Sequence, residues 1–336
     1  MYRLFFILFI SPLCWAGIFE PLPGKPVFPK DNPSSKAKIE LGKKLYFDPR
    51  ISVDGTISCN SCHNLSSSGE DNRASSVGVG GKKGGRTSPT VWNAAFMGSL
   101  FWDGRAATLE DQAIGPMTNP VEMAMGSHDM VIERLKAIPD YVKEFKVVFG
   151  GDTSLTIGNA AKAIATFERT LLTPNSPFDK YLRGNKNAIS AEAKRGLQIV
   201  QEKGCVSCHN GPNFAGPATI PLYMKFPTFA GSEYEAKYNL TKDLGRFEVT
   251  KQDSDKNVWR VPTWRNVALT APYFHNGSVK NLDEAVRVML KTQLNREGTE
   301  QEVGDIVAFL KTLTGEFPSI TLPRLPQTPG TTLLGD

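Results

Sequence analysis

Apolar residues recur at helical spacing in two places in each half of the chain. Ile39–Phe47 and Arg195–Val200 read as short amphipathic helices, each with a glycine, Gly42 or Gly196, on one face. A glycine there lets another helix cross closely. Further on, Ile157, Ala161, Ile164, Ala165 and Leu171 share one stripe. Val303, Ile306, Val307 and Leu310 share another at i, i+3, i+4, i+7 spacing. Stripes of this kind are ordinarily core, and we read them so. A further helix is predicted to start at Asn281 as N-cap, with Glu284 at N3. The pattern predicts an all-α chain made of two related units.

Turn chemistry at Thr173–Pro177 and Arg183–Asn187 places the boundary near residue 185. That gives units of 17–184 and 185–336. The loop from Ser66 to Pro89 is rich in Gly and Ser, and a loop of that length is usually functional or mobile. The tail from Thr321 to Asp336 is rich in Pro and Gly and reads as an extended arm or disorder.

The first residues, Met1-Tyr2-Arg3 and an apolar run to Ile10, look like a leader cut after Ala16. The run is too short to span a bilayer as a mature helix. An exported chain in a Gram-negative cell would lie in the periplasm. Formal charge is +5 over 336 residues, which gives no support to a nucleic-acid role.

The chemistry lies in a doubled pattern, Cys59-Asn60-Ser61-Cys62-His63 and Cys205-Val206-Ser207-Cys208-His209. C-x-x-C-H is the attachment signature of a c-type haem. The two thiols form thioethers and the histidine becomes the proximal iron ligand. A fifth cysteine, Cys14, lies in the leader, so every mature cysteine belongs to such a motif. Zinc binding and thioredoxin-like redox are the competing uses of C-x-x-C pairs. The doubling in an exported chain favours two covalent haems, one per cytochrome c-like domain.

What fills the sixth position of each iron decides between electron transfer and reaction. His128 and His275 are the remaining histidines. For the second haem Met289, well downstream of Cys205, is the leading ligand, with Met224 as competitor. For the first haem no ligand is evident; Met117, Met123 and Met125 are merely near. An open first iron and a Met/His second iron would divide reaction from electron supply.

Several stretches then resemble the bacterial dihaem cytochrome c peroxidases. They include Phe101-Trp102-Asp103-Gly104-Arg105-Ala106, Pro120-Val121-Glu122-Met123, Pro177-Phe178-Asp179-Lys180-Tyr181 and Leu269-Thr270-Ala271-Pro272-Tyr273-Phe274-His275-Asn276-Gly277. The resemblance runs over nearly all of the mature chain. It implies reduction of hydrogen peroxide to water with two electrons from a small cytochrome c or a cupredoxin. The haem on His63 would be peroxidatic, and that on His209 and Met289 would accept the electrons. Trp102 would lie between the haems. Glu122 would be the acid-base carboxylate with Gln112 beside it, taking a proton from peroxide and returning it to the departing oxygen. A Ca²⁺ would bind at Thr87, Thr270 and Pro272. Family members are often dimers.

The chain also departs from the family. Members carry a histidine in the Gly-rich loop that caps the peroxidatic iron until the other haem is reduced. Here the loop reads Ser76-Val77-Gly78-Val79-Gly80, and valine cannot ligate iron. Either the first haem is permanently open, another residue caps it, or the valine is an engineered replacement. Thr87 replaces the usual asparagine, which weakens the calcium expectation. Lys280 stands where members often have tryptophan, which alters the surface offered to a donor. The rivals are a dihaem oxidase of partner-protein residues, expected to carry Tyr rather than Met on the second haem, and a plain dihaem electron carrier, expected to have both irons closed.

Overall fold

The computed structural model describes residues 19–218 and 220–334. The expected leader, with Cys14, lies outside them. The helices are α1 (Lys36–Phe47), α2 (Cys59–Cys62), α3 (Leu109–Thr118), α4 (His128–Lys136), α5 (Pro139–Phe149) and α6 (Ile157–Glu168). They continue with α7 (Pro177–Leu182), α8 (Ala191–Glu202), α9 (Glu233–Tyr238), α10 (Phe247–Thr250), α11 (Leu282–Leu294) and α12 (Glu300–Lys311). Two three-residue strands, β1 (Tyr223–Lys225) and β2 (Val258–Arg260), pair antiparallel with Met224 opposite Trp259. This ribbon was not signalled by the apolar periodicity. Among the described residues no helix is long and apolar enough to cross a membrane.

The two helix crossings explain the glycines. A Cβ on Gly42 of α1 would stand 1.9 Å from the Ala163 carbonyl oxygen and 3.0 Å from Phe167 Cβ of α6. A Cβ on Gly196 of α8 would stand 1.9 Å from the Asp305 carbonyl oxygen and 2.9 Å from Phe309 Cβ of α12. The same crossing is thus built twice, with glycine against backbone and a phenylalanine four residues further along the facing helix. Thr156 caps α6 through the Asn159 N–H, and Ser190 caps α8 through the Ala193 N–H. Both crossings bury apolar faces: Leu41, Leu45, Ile164 and Phe167 in one core, and Val200, Ile306, Phe309 and Leu313 in the other.

Two local expectations change, and for the tail the first of the two readings holds. α6 ends at Glu168, so Leu171 is buried beyond the helix rather than on its stripe. Asn281 caps α11 as expected, but Glu284 closes no capping box; its carboxylate takes the Tyr238 hydroxyl and Lys237 instead. The tail is an extended arm laid on the first core through Ile320 and Leu333, with Phe317 edge-on to Trp92 at 5.0 Å. The N-terminal segment crosses the other way: Phe19 packs among Phe178 and Phe214 of the second core. A fully buried ion pair, Arg265 to Asp179 at 2.8 Å, anchors this crossing, since Asp179 also accepts the Leu22 N–H at 3.0 Å.

Candidate active site

Both cysteine motifs are set by short helical turns. Ser58 and Ser61 form a reciprocal cap that starts α2 at Cys59. The Tyr46 hydroxyl of α1 donates to the His63 carbonyl at 2.6 Å. The His63 ring Nδ1 lies 2.9 Å from the Pro89 carbonyl, and His209 Nδ1 lies 2.9 Å from the Phe214 carbonyl. A carbonyl only accepts, so each Nδ1 carries the proton and each Nε2 keeps its lone pair. Burial lowers both imidazoles, His209 to about 4, which keeps them neutral. Trp264 stacks on the His209 ring at 4.1 Å and 17°.

One continuous cavity of about 730 Å³ is lined by Cys59, Cys62, His63, Cys205, Cys208 and His209. The four thiols are free, and burial pushes Cys62 and Cys205 up to about 11. No group of three or more His, Cys, Asp and Glu converges as a metal site among the described residues. Two neutral imidazoles with free Nε2 atoms, flanked by paired thiols and opening on a large cavity, fit a c-type haem at each motif.

Trp102, Gln112 and Glu122 line that same cavity. Trp102 belongs to the first half in sequence but packs against the second core. Its indole N–H donates to the Thr87 carbonyl at 2.8 Å, and its own carbonyl accepts the Arg260 N–H at 2.9 Å. Gln112 comes from α3, and Glu122 from the turn that follows it. Burial raises the Glu122 carboxyl above its ordinary range, opposed by the Arg105 guanidinium and by Asn119. A carboxyl so poised can both accept and return a proton.

The Gly-rich loop docks on this turn. Val79 N–H donates to the Glu122 carbonyl at 2.9 Å, and a Cβ on Gly78 would stand 2.2 Å from the Val121 carbonyl oxygen. Ser76 and Gly78 line the cavity; Val79 is buried and does not.

Met289 and Met224 both reach the cavity. Met289 sits on α11 between the buried Val288 and Leu290, whereas Met224 is 37% exposed on β1. The helix is the firmer support for a ligand. His128 starts α4, hydrogen-bonds the Ile114 carbonyl and does not line the cavity. His275 does line it; it is buried and stacked on Trp259 at 4.0 Å, with Nε2 unpartnered. Thr87, Thr270 and Pro272 share the cavity wall. Thr87 donates its hydroxyl to the Ala74 carbonyl at 3.1 Å. Asn72 links the buried Glu70 carboxyl to the Leu269 and Ala271 carbonyls that flank Thr270.

Sequence reasoning missed the arginines. Arg86 bridges Asp103 at 2.6 Å and Asp243 at 2.7 Å, joining the end of the Gly-rich loop to the second half. Arg105 also holds Asp103. The nearby Phe101-Trp102-Asp103-Gly104-Arg105 run was the available signal, but its charges carry no spacing rule.

The family described as di-haem cytochrome c peroxidase matches residues 36–187. The cytochrome c551 peroxidase of Nitrosomonas europaea is 47% identical over 294 residues, covering 88% of this chain and 85% of that protein. The cytochrome c551 peroxidase of Pseudomonas aeruginosa is 44% identical, covering 94% and 90%. A solved MauG-like protein associated with microbial copper homeostasis superimposes with a TM-score of 0.73 at 28% identity, covering 87% of this chain and 93% of that one.

Proposed function

Because the chain belongs to the di-haem cytochrome c peroxidase family, as its relatives at 44–47% identity show, we propose that it is a peroxidase whose reactive iron is open from the start. It is a haem-dependent oxidoreductase with hydrogen peroxide as substrate. The proposal concerns how its residues divide that work.

Cys59 and Cys62 would carry the reactive haem, and Cys205 and Cys208 the haem that accepts the donor's electrons. When bound, haem supplies the iron that takes peroxide oxygen and passes electrons to it. His63 and His209 would hold the irons through Nε2, their rings oriented by the Pro89 and Phe214 carbonyls. Met289, on α11 and lining the cavity, would hold the second iron beside His209. Glu122 takes the first proton from peroxide and returns it to the departing oxygen, with Gln112 beside it. Trp102, packed at the seam of the two halves, lies on the electron path.

The observation that carries the open-iron reading is Val79. The residue at this place has no ligating atom, its side chain is buried away from the cavity, and its N–H is tied to the Glu122 carbonyl. No reductive release of a loop ligand is then needed. The same feature favours a second reading, oxidation of residues in a partner protein. Met289 opposes that reading, because a tyrosine is expected at the second iron of such oxidases. EPR of the as-isolated ferric protein tests the proposal: a high-spin component beside one low-spin signal supports it, and two low-spin signals alone contradict it.

The electron donor is a small cytochrome c or a cupredoxin, and attachment of haem c supports a periplasmic location. A Ca²⁺ at Thr87, Thr270 and Pro272 would have neutral oxygens from these residues, suited to a hard cation but weak without a carboxylate. Homodimer formation belongs to the same set of proposals.

A further inference from the structure

Peroxide reduction needs a negative charge handled twice near Glu122, first on deprotonated peroxide and then on the oxygen that departs. Haem iron and one carboxyl leave that second charge without a fixed partner. Arg105 is placed to answer it. Its backbone N–H donates to Asp103 Oδ1 at 3.1 Å, and Nη1 donates to Asp103 Oδ2 at 2.8 Å. Its guanidinium lies on the Phe101 ring, 3.5 Å from the centroid. Asp103 is buried, and the same Oδ2 also accepts from Arg86 Nη1 at 2.6 Å. The Phe101–Arg105 turn is closed at its base by the Leu100 N–H to the Ala106 carbonyl at 2.8 Å. So the guanidinium is held by the Phe101 ring on one face and by Asp103 at Nη1, yet 38% of the side chain remains uncovered and it lines the cavity with Glu122 and Gln112.

We propose that Arg105 is the cation of the peroxide pocket: it favours anionic oxygen there and stabilises the charge that develops as the O–O bond breaks. It acts beside Glu122, not in place of it. One hydrogen peroxide takes two electrons from the donor protein and, in net, two solvent protons (H⁺), giving two waters. Within that sum Glu122 moves the proton from the near oxygen to the departing one, and Arg105 neutralises the departing oxygen until that proton arrives. A fixed cation in a site partly shielded from water does this without reorganising. Arginine suits the task because it stays charged and can donate two parallel hydrogen bonds.

The inference rests on the open-pocket reading, so its test must separate the two. Fluoride is a small anion that binds open ferric haem and responds to nearby positive charge. Ferric holoprotein with both haems counted is titrated with fluoride, following the high-spin absorption band. Wild type, Arg105→Lys and Arg105→Leu are compared. The expected result is fluoride binding in wild type, weakened roughly tenfold or more in Arg105→Leu and partly restored in Arg105→Lys, with kcat/KM for peroxide in Arg105→Leu down by roughly 10². Fluoride bound as tightly by Arg105→Leu as by wild type overturns the role of Arg105 alone. A wild type that takes no fluoride overturns the open pocket, and this inference with it.

Discussion

Val79 donates its backbone N–H to the carbonyl of Glu122 at 2.9 Å. The loop expected to regulate the first iron is therefore fastened to the backbone of the residue expected to move the proton. Gly78 makes the close approach possible, since any side chain there would strike the Val121 and Glu122 carbonyls.

Val79→His supplies the missing ligating atom on that loop. We expect the high-spin ferric EPR component to diminish in favour of a second low-spin signal, and peroxide turnover to become dependent on prior reduction. An unchanged spectrum would show that the docked loop keeps position 79 away from the iron even with a histidine.

Glu122→Gln keeps the shape of the pocket and removes the base. Turnover should fall by roughly 10²–10⁴ with both haems retained. The acid limb of the wild-type pH profile should lie above an ordinary carboxyl, because burial raises Glu122 and the base form is lost as pH falls through that raised value. Arg105 lowers Glu122, so Arg105→Leu should move the limb to still higher pH. Steady-state kcat/KM against pH checks all three.

The helix crossings make a stability prediction with an internal control. Gly42→Ala and Gly196→Ala each force a methyl against a backbone carbonyl, which cannot swing aside. Each should destabilise the holoprotein by about 1–3 kcal/mol. Gly158 of α6 and Gly304 of α12 have nothing within 4 Å of an added Cβ. Gly158→Ala and Gly304→Ala should instead stabilise by roughly 0.5–1 kcal/mol. Denaturant melts of the four variants separate close packing from helix propensity.

Glu168 ends α6 against the cavity, with Oε2 buried and unpartnered. Burial pushes its carboxyl to about 8, from an ordinary 4.5. The folded state then holds a proton that the unfolded chain has released, so stability should decline as pH rises from about 4.5 to about 8. Glu168→Gln carries no such proton and should flatten that part of the profile. Melting temperature against pH in the two proteins tests it.

The repeated glycine helices and later apolar stripes were legible because they follow from local periodicity. Gly42 and Gly196 could be read as crossing points from sequence, and each now meets a backbone carbonyl at the partner helix. The C-x-x-C-H pairs were legible as motifs, Trp102, Gln112 and Glu122 only through the family resemblance, and the fold brings them to one cavity. What was not legible depends on contacts distant in sequence. Trp264 stacks on His209 across 55 residues, Arg86 reaches Asp243 across |i−j| = 157, and the tail and the N-terminal segment each pack on the other half's core. No periodicity encodes such pairings. Glu284 shows the opposite failure: a local cap rule gave way to a stronger partner in Tyr238 and Lys237.

The most direct measurement is the time course of peroxide consumption started with fully ferric, as-isolated protein and reduced donor, beside an identical run with enzyme already reduced at the second haem. The account predicts the same steady rate in both, reached without a lag. Turnover that appears only after reduction, or a lag abolished by it, would contradict the claim that this peroxidase is open from the start.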